Sequence, residues 1–142
     1  VTASGAPAGA RPLPRPNELT ADFWEAARRR ELVRPRCRDC GRSFFTPQLA
    51  CPHCLSEDWS YERSSGRGVV YSATVVHRAP FPGLETPYEL AMIDMEEGWT
   101  MLSEIVGGAG RPTPIGTPVA VDWLELGELL LPVFRAAGEA AA

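Results

Sequence analysis

The chain has 142 residues, 44% of them hydrophobic, and a formal net charge of −4, which suits one domain or a small module joined to a second. No apolar run is long enough to cross a bilayer, no signal-peptide core follows Val1, and the acidic balance weakens a case for general nucleic-acid binding. The charge is uneven: residues 1–78 hold 12 arginines and 8 acids, net +4, whereas residues 79–142 hold 2 arginines and 10 acids, net −8.

Residues 1–19 open with a stretch rich in Pro, Ala, Gly and Arg that offers few large apolar side chains. They read as a flexible linker or tail, and a chain that starts inside a linker reads as one cut from a longer protein. Residues 20–33 hold a short helix of about 21–31, with Thr20 as N-cap and Asp22 and Glu25 near its positive end. Arg28, Arg29 and Arg30 fall near its C-terminus. Phe23, Ala26 and Ala27 share a face that Trp24 flanks. A helix this short is marginal alone, so this aromatic face must dock on the chain's own core or on a partner.

Residues 34–62 carry all four cysteines as two CxxC pairs, Cys37 and Cys40, then Cys51 and Cys54. Two such turns supply four thiolates to one tetrahedral ion, and a filled shell leaves no position for substrate. The ion is therefore structural, and it folds a segment too small to fold itself. Iron accepts the same four ligands as zinc. Disulfides would need an oxidising compartment, and a redox CxxC would want a βαβ setting. Gly41 follows the first pair, where a left-handed backbone is often required. His53, between two ligands, reads as a surface residue.

Residues 63–135 change to strand alternation. Val69, Tyr71, Ala73, Val75 and His77 fall on one face of a first strand, with Val70 to Arg78 on the other. Leu90–Met95 and Trp99–Val106 flank a Glu96-Glu97-Gly98 hairpin, and Val119–Leu126 and Leu129–Phe134 complete five strands. Five strands with few helices fit a small closed barrel such as an OB-fold. Residues 136–142 read as a tail. The fold class is thus mainly β: an N-terminal helix, a four-cysteine zinc ribbon, then a five-stranded OB-fold barrel.

Arginines crowd residues 28–42 and offer a surface for phosphates or an acidic partner. His77 and Arg78, at a strand end, form a second pair suited to a phosphate or an acyl thioester. No GxSxG, Walker A or Rossmann glycine pattern occurs, so the sequence offers no support for catalysis by this chain alone.

The order of these features resembles the domain-of-unknown-function 35 family. The resemblance is carried by Phe23-Trp24, Cys37-x2-Cys40-Gly41, Pro47 before Cys51-Pro52-x-Cys54, Gly66-x-Gly68 with Val69-Val70-Tyr71-Ser72, Ile115-Gly116-x-Pro118-Val119, and Leu131-Pro132-x-Phe134. It implies a rubredoxin-like ribbon with structural Zn2+, followed by an acyl-CoA-associated OB-fold. It also implies a cytoplasmic accessory partner of a thiolase-like enzyme, in some cases fused behind a hydratase domain. The specific expectation is a heterotetramer with an aldolase that cleaves a steroid side-chain CoA thioester, making the chain part of a lyase complex. In that setting Phe23 and Trp24 contact the partner. Arg67, His77 and Arg78 are candidates for the CoA phosphates near the interface. The alternative is a ribbon and OB-fold that binds single-stranded nucleic acid.

Overall fold

The computed structural model describes residues 11–138. Residues 1–10 of the expected linker and 139–142 of the expected tail lie outside that range. One helix, α1 (Ala21–Arg28), precedes a two-stranded ribbon of β1 (Val33–Cys37) and β2 (Trp59–Arg63). Five strands follow: β3 (Arg67–Val76), β4 (Tyr88–Met95), β5 (Thr100–Ile105), β6 (Pro118–Leu126) and β7 (Leu129–Ala136). These five close a barrel in the order β3-β4-β5-β7-β6, the OB-fold expected from the strand pattern.

Local chemistry sets the ends of α1. Thr20 stands at the N-cap but sends no side-chain bond into the helix. Asn17 serves the entry instead: its Oδ1 accepts the Thr20 N–H at 3.0 Å and its carbonyl accepts the Ala21 N–H at 2.8 Å. The helix ends at Arg28, three residues earlier than the charge pattern suggested. Arg30 adopts φ +59, and the N–H groups of Arg30 and Glu31 return to the carbonyls of Ala27 and Ala26 at 2.9 and 3.0 Å. That pair of bonds is a Schellman closure, with arginine where glycine is usual.

The apolar face of α1 is buried in the chain's own core. Phe23, Ala26 and Ala27 are buried, and the helix packs on β7 and β1. Phe23, Leu32 and Val33 join Val70, Ile93, Met101, Val119 and Phe134 in a single apolar cluster. Helix, ribbon base and barrel therefore share one core.

The barrel has a weak seam. Every neighbouring pair is antiparallel except β5 and β7, which run parallel and meet at one residue pair, Ile105 with Phe134. Pro132 has no N–H to offer across this seam. Its carbonyl accepts the Ser103 hydroxyl at 2.9 Å, and farther along Val106 donates to Phe134 at 2.8 Å.

Strand β3 departs from simple alternation. Val70 pairs with Ile93 and Ser72 with Met92, so Tyr71 is an extra residue in a β-bulge. One inserted residue moves all that follow to the opposite face. Val69 and Tyr71 accordingly point outward, 41% and 61% exposed, while Ala73 packs against the core. The expected common face of Val69, Tyr71, Ala73 and Val75 is thus split in two.

Gly68 pairs with Met95 and lies tight against β4. A Cβ there would sit 2.5 Å from the Asp94 carbonyl oxygen and 2.8 Å from Ile93 Cγ2. Gly68→Ala is expected to cost about 1–3 kcal/mol through overpacking. Urea unfolding should show the loss as a lower midpoint, and an unchanged midpoint would contradict this account of the contact.

Candidate metal centre and docking surface

Two tight turns bring the four sulfurs together. Gly41 donates to the Cys37 carbonyl at 3.0 Å, and Leu55 donates to the Cys51 carbonyl at 2.8 Å. Each turn closes on a left-handed residue, Gly41 at φ +74 and Leu55 at φ +66. The second is a leucine in a position that suits glycine. The four Sγ atoms all lie within 4.8 Å of one another. Cys37 and Cys54 approach to 3.6 Å, and Cys40 and Cys51 to 3.7 Å. Tetrahedral Zn–S bonds of about 2.3 Å place sulfurs roughly 3.8 Å apart, so the donor set fits zinc.

Charge explains why the cluster needs an ion. The Cys40 N–H draws the Cys37 thiol down to about 7, against the opposing effect of burial. At Cys54 the Ser56 N–H pulls the thiol down, but burial and the other three sulfurs push it up to about 12. Four thiolates this close repel one another unless a dication sits among them. When bound, zinc supplies that countercharge and holds the turns; it presents no open face to a substrate. The backbone N–H of His53 points at Cys51 Sγ at 3.4 Å, while the His53 ring faces Arg42 at the surface.

Around the ion the ribbon buries little beyond its ligands. Cys37, Cys51 and Phe44 form its small cluster, with Trp59 against it. Phe44 and Trp59 meet edge-on at 5.7 Å, and Trp59 meets Tyr61 at 5.2 Å. Tyr61 then donates its hydroxyl to the Leu19 carbonyl at 2.7 Å.

Most of the arginine-rich stretch is already paired. Arg34, 8% exposed at its side chain, and Arg36 both reach Glu62, at 3.8 and 3.2 Å. Arg38 reaches Asp58 at 2.7 Å and Arg29 reaches Glu31 at 3.6 Å. The stretch therefore presents no continuous row of free guanidiniums to a phosphate backbone.

The structure separates the three expected CoA contacts. Arg67 begins β3, while His77 and Arg78 lie just beyond its end, roughly 30 Å away at ~3.3 Å per residue. Arg67 is also paired with Glu96 at 3.1 Å. Only His77 and Arg78, both exposed neighbours, remain together. Phe23, expected at the partner contact, is 5% exposed and packs in the chain's own core. Trp24 stays half-buried, edge-on to Phe23 at 5.1 Å.

Trp24 lines a feature the sequence did not reveal. An apolar groove of about 640 Å³ lies beside the seam, lined by Trp24, Pro47, Phe81, Leu102 and Leu131. Leu102 and Phe81 are 57% and 43% exposed. Residues 11–20 border the groove through Arg11, which pairs with Glu104 at 3.5 Å, and through Leu19. A proline inside a barrel strand was the available signal for a broken seam.

Fold and site together define a zinc-ribbon and OB-fold protein. The family model described as the ChsH2 rubredoxin-like zinc ribbon domain matches residues 24–60, and that of the ChsH2 C-terminal OB-fold domain matches residues 61–124. The chain is similar, at 43% identity, to a "Probable enoyl-CoA hydratase alpha subunit" of Thermomonospora curvata, covering 92% of this chain and 41% of that protein. It is 35% identical to the "3-oxo-4,17-pregnadiene-20-carboxyl-CoA hydratase alpha subunit" of Mycobacterium tuberculosis, covering 75% of this chain and 34% of that one. The chain thus spans about a third to two fifths of the length of these relatives. A solved structure titled "Ltp2-ChsH2(DUF35) aldolase" matches with TM-score 0.78 and 43% identity over 88% of this chain and 99% of its counterpart. The chain belongs to the DUF35 family of zinc-ribbon and OB-fold proteins, with domains of the ChsH2 type. No helix among the described residues is long and apolar enough to cross a membrane.

Two outcomes follow from the metal centre. Ligand thiolates must lose their protons to bind, so acid competes with the ion. Zinc release, read with a coloured chelator, should rise as pH falls from 8 to 5, and Trp59 fluorescence should change with it. Zinc retention across that range would refute the four-thiolate site. Separately, Leu55→Gly should remove the left-handed strain and raise ribbon stability by up to about 1 kcal/mol, measured as resistance to chelator-induced unfolding.

Proposed function

We propose that this chain is a non-catalytic accessory module that binds and completes a thiolase-like acyl-CoA enzyme. That enzyme is an aldolase that cleaves a steroid side-chain CoA thioester by a retro-aldol step in bacterial steroid catabolism. The likeness to the DUF35 component of the Ltp2-ChsH2(DUF35) aldolase carries this reading, because it extends over 99% of that chain. The steroid-CoA name of the mycobacterial relative supports the substrate class. Its designation as a subunit supports action within a complex.

In this reading the ion fixes the ribbon, and the ribbon and α1 together hold one wall of the seam groove. An apolar side chain of the partner enters the groove against Trp24, and two copies of each chain form a heterotetramer. The acyl-CoA lies near that interface, where His77 and Arg78 meet its phosphates through charge-assisted hydrogen bonds. Holding the module beside the partner's substrate entrance raises the local concentration of the thioester at the next site.

Co-expression with a thiolase-like partner tests each part. Cys40→Ala should lose zinc and partner together. Trp24→Ala should keep its zinc yet weaken association by about tenfold or more, the size expected for a buried aromatic anchor. Wild-type affinity in that variant would remove the groove from the interface. Replacing His77 and Arg78 by Ala should raise KM for the acyl-CoA in the assembled complex with little change in kcat. An unchanged KM would exclude them as phosphate contacts.

A further inference from the structure

A second cavity, at the mouth of the barrel, adjoins the seam groove and shares Arg11, Leu84, Tyr88 and Glu104 with it. There Glu89 points inward, in the same register as Ala91, Ile93 and Met95, which are buried along β4. Glu89 is only 6% exposed. Its Oε1 accepts the Thr113 N–H at 2.5 Å. Its Oε2 is buried and has no hydrogen-bond partner among the described residues. A carboxylate oxygen in that position lacks the donor that burial demands.

Glu89 lines this cavity of about 510 Å³, within the size range of small-ligand sites. Loop residues Gly83–Pro87 and Gly107–Arg111 frame its opening. A Cβ on Gly108 would come within 2.9 Å of Oε2, so only glycine fits against that oxygen. The walls include Val75, Leu84, Ile105, Leu124 and Leu126. The charged lining is Glu85, Glu89 and Glu104 against Arg11 and Arg111. Arg11 is already paired with Glu104 at 3.5 Å, and Arg111 is exposed. The lining therefore carries a surplus of negative charge, and Glu89 brings an orphan acceptor to it.

We propose that this barrel mouth binds a cation carried on an aliphatic stem, an ammonium or a guanidinium. The head donates to Glu89 Oε2 and the stem lies on Leu124 and Leu126. A neutral donor satisfies the oxygen but leaves its charge uncompensated, which is why a cation suits the site better. Such a group comes either from a free alkylamine or from a Lys or Arg side chain of another protein.

The test uses the zinc-loaded chain without any partner, so it is independent of the proposed aldolase complex. The probes are n-butylamine, n-butylguanidine, n-butanol, and the peptides Gly-Gly-Lys-Gly-Gly and Gly-Gly-Arg-Gly-Gly. The readouts are the amide signals of Gly107, Gly108 and Gly110 and the Glu89 carboxyl carbon by NMR. The cations should give saturable shifts and the butanol none. Glu89→Gln keeps the acceptor for Thr113 but loses the charge, and should weaken binding at least tenfold. Gly108→Ala, which crowds Oε2 without touching its charge, should do the same. Binding of the free cations alone assigns a small-molecule amine, whereas equal or tighter binding of a peptide assigns a partner's side chain. No saturable shift from any cation, equal binding by butanol, or unchanged binding in Glu89→Gln overturns the proposal and leaves Oε2 to water.

Discussion

Four thiols that meet within 4.8 Å hold the two turns of the ribbon in shape only when an ion lies between them. The ribbon has almost no other core: two buried ligands, Phe44, and Trp59 leaning on them. A segment with so little apolar area cannot offset its own chain entropy, so metal binding and folding are one event there. Order then passes outward through Trp59 and Tyr61. The Tyr61 phenol is pushed up to about 12 by burial and by Asp22, and so remains a donor at neutral pH. Its bond to Leu19 anchors the chain just before α1.

The barrel solves a different problem. Antiparallel neighbours satisfy most of its backbone, but β5 and β7 run parallel and touch at a single pair. A parallel junction with proline in one strand cannot form a full ladder. The aromatic face of α1 fills part of the space beside it, with Phe23 buried and Trp24 left at the rim of a groove. An incomplete seam thus becomes a concave apolar surface, which is what a docking module requires. Beside that groove the inward row of β4 ends on the Glu89 carboxylate rather than on another aliphatic side chain, which turns a packing position into a polar one.

Much of this was legible along the chain. The spacing of Cys37, Cys40, Cys51 and Cys54 was enough to place an ion, because each CxxC turn is local and needs no distant residue. The strands were legible because alternation of period two is also local. Their edges were not. Tyr71 forms a bulge only because Val70 and Ser72 pair with consecutive residues of β4. Glu89 lay one residue before the expected start of its strand at Leu90, and extending the alternation of Ala91, Ile93 and Met95 back by two positions would have placed it inside. The arginine cluster misled for a related reason. Glu62 and Asp58 are more than 19 positions from Arg34, Arg36 and Arg38, and the β1–β2 pairing brings them across.

Sequence alone determined the metal chemistry, the order of helix, ribbon and barrel, and the polarity of most strand faces, since each depends on residues a few positions apart. Tertiary structure alone decided which aromatic of α1 is buried and which faces a groove. It also decided that Arg67 stands far from His77 and Arg78, and that one buried carboxylate oxygen is left without a donor among the described residues. Those outcomes depend on strand closure and register, which join residues distant in the chain. No local pattern encodes a distance between groups that meet only when the barrel shuts.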